Sequence, residues 1–109
     1  MTVKALQEQL GWTAFHMAGP DRQVTGAYAG DLLSWVMGRA GQDCAWLTIM
    51  SNQNVAAVAL MADVACVVLT EGVRPDEDLL RRAREKEVNL LGAGEDTYTA
   101  ACRLHDCLR

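Results

Sequence analysis

The chain has 109 residues, about half of them apolar, with a net charge of −4 and a pI near 5.0. That is the length of one domain with enough apolar material for a core, so residues 1–109 are expected to form a single unit. The acidic balance gives nucleic acid little to hold, and no apolar run approaches the 18 or so residues of a membrane span.

The N-terminal segment MTVKALQEQLGW reads as a helix over Thr2–Leu10. Val3, Leu6 and Leu10 form one stripe and Gly11 stops it. It lacks a signal-peptide core, which makes the expected location cytoplasmic. Trp12 to Met17 reads as a strand, broken by Gly19-Pro20-Asp21, and Gln23 to Tyr28 as a short extended segment. Asp31 is the expected N-cap of a helix over DLLSWVMGRA. That helix is apolar nearly all round, through Leu32, Leu33, Trp35, Val36 and Met37, so it is buried or sits at an interface.

Cys44 to Met50 reads as a central strand. The polar turn Ser51–Asn54 offers two cap residues for an Ala-rich helix over Val55–Ala62. Val64 to Leu69 is a continuous apolar run of the kind that parallel sheets bury on both faces. Asp76 to Lys86 is amphipathic, with Leu79, Leu80 and Ala83 inward and acids in its first turn. Val88 to Leu91 is the last strand, and Thr97 caps a final helix with Ala100, Ala101, Leu104 and Leu108 inward. Strand and helix alternate with short connections. The predicted fold is a three-layer α/β/α sandwich around a mostly parallel sheet of about five strands.

Chemistry-bearing residues are sparse. Cys44 and Cys66 lie in apolar strand runs, while Cys102 and Cys107 lie on different sides of one helix. There is no CxxC and no His at ligand spacing, so four reduced thiols, no metal and no cofactor are expected. There is no P-loop, and Gly92-Ala93-Gly94 lacks the third Gly of a dinucleotide fingerprint. His16 and His105 have no nucleophile or base partner in the sequence, and no catalytic residue is assigned. Ligands of open α/β sheets bind beyond the carboxyl ends of the strands. Ser51, Asn52, Asn54, Thr70 and Gly72 should meet there as candidate ligand-binding residues, beside the acids Glu71, Asp76, Glu77, Asp78, Glu95 and Asp96.

Several segments carry a family pattern: Gly30-Asp31-Leu32-Leu33, Trp46-Leu47-Thr48-Ile49, Asn54-Val55-Ala56-Ala57-Val58-Ala59, Ala62-Asp63-Val64-Ala65 and Leu69-Thr70-Glu71-Gly72. In them the chain resembles a stand-alone DRTGG domain. The namesake residues would fall on Asp21, Arg22, Thr70 and Gly72, with Glu71 where a Gly is expected. The resemblance implies a fold similar to the N-terminal domain of HPr kinase/phosphorylase. It also implies a regulatory or dimerisation module, of a kind found beside CBS domains and near iron-only hydrogenases in anaerobes.

The leading expectation is therefore a non-catalytic homodimer that regulates or scaffolds a metabolic or redox enzyme. Surplus apolar residues Trp12, Trp35, Val36 and Met37 would form its twofold interface. The alternative is a sensor of a small metabolite or nucleotide at the strand-end loops. Catalysis through His16 would require a carboxylate within about 3 Å of its ring in an open cleft.

Overall fold

The computed structural model describes all 109 residues as α1 (Val3–Leu10), β1 (Thr13–His16), β2 (Gly26–Ala29), α2 (Leu33–Arg39), β3 (Cys44–Thr48), α3 (Asn54–Ala62), β4 (Cys66–Leu69), α4 (Glu77–Glu85), β5 (Leu90–Gly92) and α5 (Thr97–Leu108). The strand order is β1-β5-β4-β3-β2. β2 to β5 are parallel, and β1 alone is antiparallel, on the outer side of β5.

From β2 to β5 each crossover moves one place along the sheet in the same direction. Connections of one hand then put every connecting helix on the same face. Val36 of α2, Val55 and Ala59 of α3, and Leu79 and Ala83 of α4 accordingly pack against Cys44, Trp46, Val67, Leu69 and Leu90. α5 leaves β5 for the opposite face. There Ala100 and Leu104 join Val3, Leu6 and Leu10 of α1 over Ala45, Leu47, Cys66, Val68 and Leu91. The result is the expected three-layer sandwich with a mostly parallel five-stranded sheet. β3 and β4 are buried at every residue, which is why they read as unbroken apolar runs.

Local chemistry fixes the ends of the elements. Thr2 caps α1, its hydroxyl accepting from Ala5 N at 3.1 Å, and Gly11 closes the helix at φ 69°, a conformation that costs glycine nothing. The Arg22 guanidinium bonds the Asp43 carboxylate and both the carbonyl and carboxylate of Asp63. Burial opposes the charge on Arg22, but these two acids raise its pKa. Both acids adopt left-handed φ, 65° and 56°, so the arginine ties down two unfavourable backbone turns at once.

Several expectations need correction. α2 starts at Leu33 with Leu32 in the cap position. Asp31 does not cap it: its carboxylate accepts from Thr48 Oγ1 at 2.8 Å and Ile49 N at 2.9 Å, closing the end of β3. Only Val36 of α2 is buried, so the helix is not enclosed. Asp96, rather than Thr97, caps α5, accepting from Thr99 N. The strand after Asp63 begins at Cys66 rather than Val64. Two of the four proposed interface residues belong to the core: Trp12 is 3% exposed and Val36 is fully buried. Trp12 lies just outside β1, under α1 and α5, and its Nε1–H reaches the Glu95 carboxylate at 3.2 Å.

Candidate functional site

The carboxyl ends of β3, β4 and β5 meet along one edge. The loop after β4 leads to α4 on one face, and the loop after β5 leads to α5 on the other, so the helices diverge between these strands. That is the topological switch where open sheets bind ligands. The two loops are stitched together by Glu71 N to Glu95 O at 2.9 Å and Gly72 N to Ala93 O at 3.1 Å. Behind them the Thr70 and Thr97 hydroxyls share a 2.6 Å hydrogen bond.

The first turn of α5 is already supplied with carboxylates. Glu71 accepts from Thr97 N at 2.8 Å and from its hydroxyl at 3.3 Å. Asp96 accepts from Thr99 N and Oγ1, and the Thr99 amide holds the Asp96 carboxyl below its ordinary pKa. Amides that could hold a phosphate thus bond the protein's own acids. Glu71 does this from a left-handed φ of 62°.

The sequence-predicted ligand residues separate. Thr70 is buried behind the loops. Gly72, at φ 71°, lines a crevice of about 120 Å³ with Thr13, Phe15, Val73, Arg74 and Gly94. The Arg74 guanidinium lies 5.6 Å from the Phe15 ring centre. Ser51 Oγ donates to Asp76 at 3.1 Å, tying the loop after β3 to the start of α4, and Asn52 Oδ1 accepts from Asn54 N at 2.9 Å within its own turn. Asn54 opens onto a different and larger space, a groove of about 320 Å³ between α3 and α4.

The same helical layer carries exposed apolar side chains, of which sequence reasoning missed Leu60 and Met61. Leu60 and Met61 of α3 are 53% and 68% exposed, alongside Leu32 and Trp35 at 58% and 50%. α3 reads NVAAVALMA, apolar on every side, while the sheet, α2 and α4 cover only part of it. The signal was present as a helix with no polar face.

His16 is half-buried. It forms no hydrogen bond or ion pair with a carboxylate and lines none of the cavities, so the geometry required for a catalytic base is missing. No three His, Cys, Asp or Glu side chains converge as a ligand set. All four cysteines are free thiols. Burial pushes Cys44 up to about 11 and Cys66 up to about 12. No helix is long and apolar enough to cross a membrane.

A one-way wound parallel sheet with an antiparallel edge strand and strand-end loops closed on themselves defines a three-layer α/β domain. The DRTGG domain model matches residues 32–107, and the chain belongs to that family. It is similar in fold, with a TM-score of 0.74 and 11% identity, to the crystal structure of the CBS and DRTGG domains of the regulatory region of Clostridium perfringens pyrophosphatase, complexed with its activator diadenosine tetraphosphate. The likeness covers 94% of this chain and 45% of that one, so this chain spans less than half of its structural neighbour. No curated protein matches the sequence.

Proposed function

We propose that this domain is a non-catalytic regulatory module that pairs with a second copy of itself through the α2–α3 face. The observation that carries this reading is α3, a helix apolar all round that leaves Leu60 and Met61 in solvent. Beside it, Trp35 projects from α2, and across it runs the groove against α4. A knob and a groove on either side of one helix are what a twofold, self-complementary interface uses. A twofold axis through α3 sets each Trp35 against the opposite groove, where Leu60, Met61 and the aliphatic stems of Arg82 and Lys86 receive it. The system regulated is a metabolic or redox enzyme, the iron-only hydrogenases being those the resemblance implies.

Sedimentation at micromolar concentration tests the pairing. The expected species is a dimer of the 11.9 kDa chain, converted to a folded monomer by Leu60→Asp with Met61→Asp. A monomeric native chain refutes the reading.

A second reading, a small-ligand sensor, has support of its own. The activator named for the Clostridium perfringens regulatory region is a nucleotide, and the crevice at Gly72 and Arg74 sits at the topological switch. That crevice, at about 120 Å³, is below the roughly 300–1,000 Å³ of small-molecule sites. It suits an ion-sized ligand, and a thermal-shift series with inorganic phosphate tests it: a rise in melting temperature lost in Arg74→Ala supports sensing there, and no rise at ligand excess ends it.

A further inference from the structure

We propose that the groove between α3 and α4 binds a small anion carrying a flat apolar body, a ligand of the nucleoside-phosphate class. The groove exists because α3 turns Ala56 and Ala57 toward α4, where larger side chains would have filled the space. With Leu60 and Met61 these form an apolar floor, and the volume of about 320 Å³ falls within the range of small-molecule sites.

Its polar groups are few and sorted. The only charged side chains lining it are Arg82 of α4 and Lys86, which caps the C-terminal end of that helix. Lys86 has no carboxylate within ion-pair distance, and the nearest acid to Arg82 is Glu85 at 4.0 Å. In a chain of net charge −4, this groove has two cations and no acid on its walls. Gln53 and Asn54 close the other end with carboxamides, which can donate to and accept from a heterocycle edge. α3 and α4 both run from the carboxyl edge of the sheet toward its amino edge. The carboxamides therefore lie at one end and Lys86 at the other. An apolar ring over the Ala and Leu floor with its anionic group toward Lys86 satisfies both ends.

This site does not depend on the pairing described above, but it shares Leu60, Met61, Arg82 and Lys86 with it. A ligand in the groove and a second copy over it therefore compete, and the coupling is reciprocal.

Equilibrium dialysis with ADP, adenosine and inorganic phosphate tests the proposal. It is run on the native chain and on Trp35→Asp, which lies outside the groove and exposes it by removing the pairing knob. The expected result is saturable single-site binding of ADP to Trp35→Asp, with adenosine and phosphate each weaker. Adding Arg82→Glu or Lys86→Glu should weaken ADP about tenfold or more. Ala57→Trp, which fills the groove without changing charge, should abolish binding while leaving the melting temperature near the parent value. Absence of saturable ADP binding to Trp35→Asp overturns the site, as does binding indifferent to both Lys86→Glu and Ala57→Trp. Phosphate alone binding as tightly as ADP overturns the apolar-body requirement, and adenosine doing so overturns the anion requirement. If the native chain sediments as a monomer yet binds ADP in this groove, the pairing falls and the site stands. If the native chain is a dimer and Trp35→Asp binds nothing, the site falls and the pairing stands.

Discussion

Replacing Gly92 with alanine is the sharpest test of how the antiparallel edge is joined to the parallel sheet. Gly92 lies in β5, paired with Thr13 on one side and Leu69 on the other. A Cβ there would stand 2.4 Å from Phe15 Cε2 and 2.9 Å from its Cζ. The ring must retreat by about 1 Å before reaching ordinary contact. Phe15 packs against the core between the sheet and α2–α4 and lies beneath Arg74, so a retreat loses contacts on both sides. Forced overpacking of this kind costs about 1–3 kcal/mol. For a domain of this size each kcal/mol lowers Tm by about 4–8 °C, so a fall of roughly 4–24 °C is expected. Urea and thermal unfolding of Gly92→Ala, Phe15→Ala and the double variant form the cycle. In the Phe15→Ala background, Gly92→Ala should be neutral within about 0.5 kcal/mol. An equal cost in both backgrounds would refute the steric explanation and place the requirement in the backbone.

Three further outcomes follow from the hydrogen bonds and the thiols. Burial works against the charge of Glu95, but its own amide, Trp12 Nε1–H and Arg103 outweigh burial and hold its pKa below the ordinary value. Because the folded value is the lower one, the stabilisation is complete above the ordinary carboxyl pKa of 4.5 and is lost as pH falls through the folded value. Glu95→Gln should therefore cost about 1 kcal/mol at neutral pH, and a stability gap to native that stays constant into acid would sink this account. Asn89, 5% exposed, accepts from Gly19 N and donates to the carbonyls of Gly19 and Ala65. Asn89→Ala strands those groups and should cost about 3 kcal/mol in a urea melt; a loss under about 0.5 kcal/mol would show the contacts to be dispensable. With Ellman's reagent, exposed Cys102 should react first and Cys107 more slowly, while Cys44 and Cys66, raised to about 11 and about 12, should stay silent until unfolding. Four fast thiols would contradict the buried placement of the two strand cysteines.

The layered fold was legible because β3 and β4 are buried at both faces and must be apolar without interruption, and because α4 is amphipathic with its acids in the first turn. The family pattern was legible for the same reason: it runs through those elements. What escaped was settled by contacts distant in sequence. Asp31 stands two residues before the first helical residue, Leu33, and has the chemistry of a cap, yet its partners are Thr48 at the end of the neighbouring strand and Ile49 just after it. Trp12 and Trp35 are the same residue type beside apolar neighbours, and only the docking of α1 and α5 over one of them decides which is core. The exposed Leu60 and Met61 could not be told from the buried Val55 and Ala59, because a helix without a polar face does not record which side the sheet will cover. The strand-end residues were placed at the correct edge, but their hydrogen bonds go to one another: Ser51 to Asp76, Thr70 to Thr97 and Glu71 to Thr97.

The single antiparallel pairing sets the order in which this chain assembles. β2 to β5 are neighbours in sequence as well as in space, so each pairing closes a short stretch. β1 instead waits for β5, some 75 residues downstream, and the C-terminal end of α1 meets α5 late, where Arg103 reaches back to the Leu10 carbonyl at 3.0 Å. During synthesis β1 emerges long before the strand that holds it exists. α1 is held early by its own bridge from Thr2 to Gln23 and by Val3 N to Arg22 O at 2.9 Å, whereas β1 stays unpaired while the parallel sheet forms behind it and docks last. Of all the steps in assembly, this closure spans the longest loop and carries the largest entropic cost. Opening of β1 is therefore the first sub-global unfolding event expected, and it uncovers the outer edge of β5 for pairing with another chain.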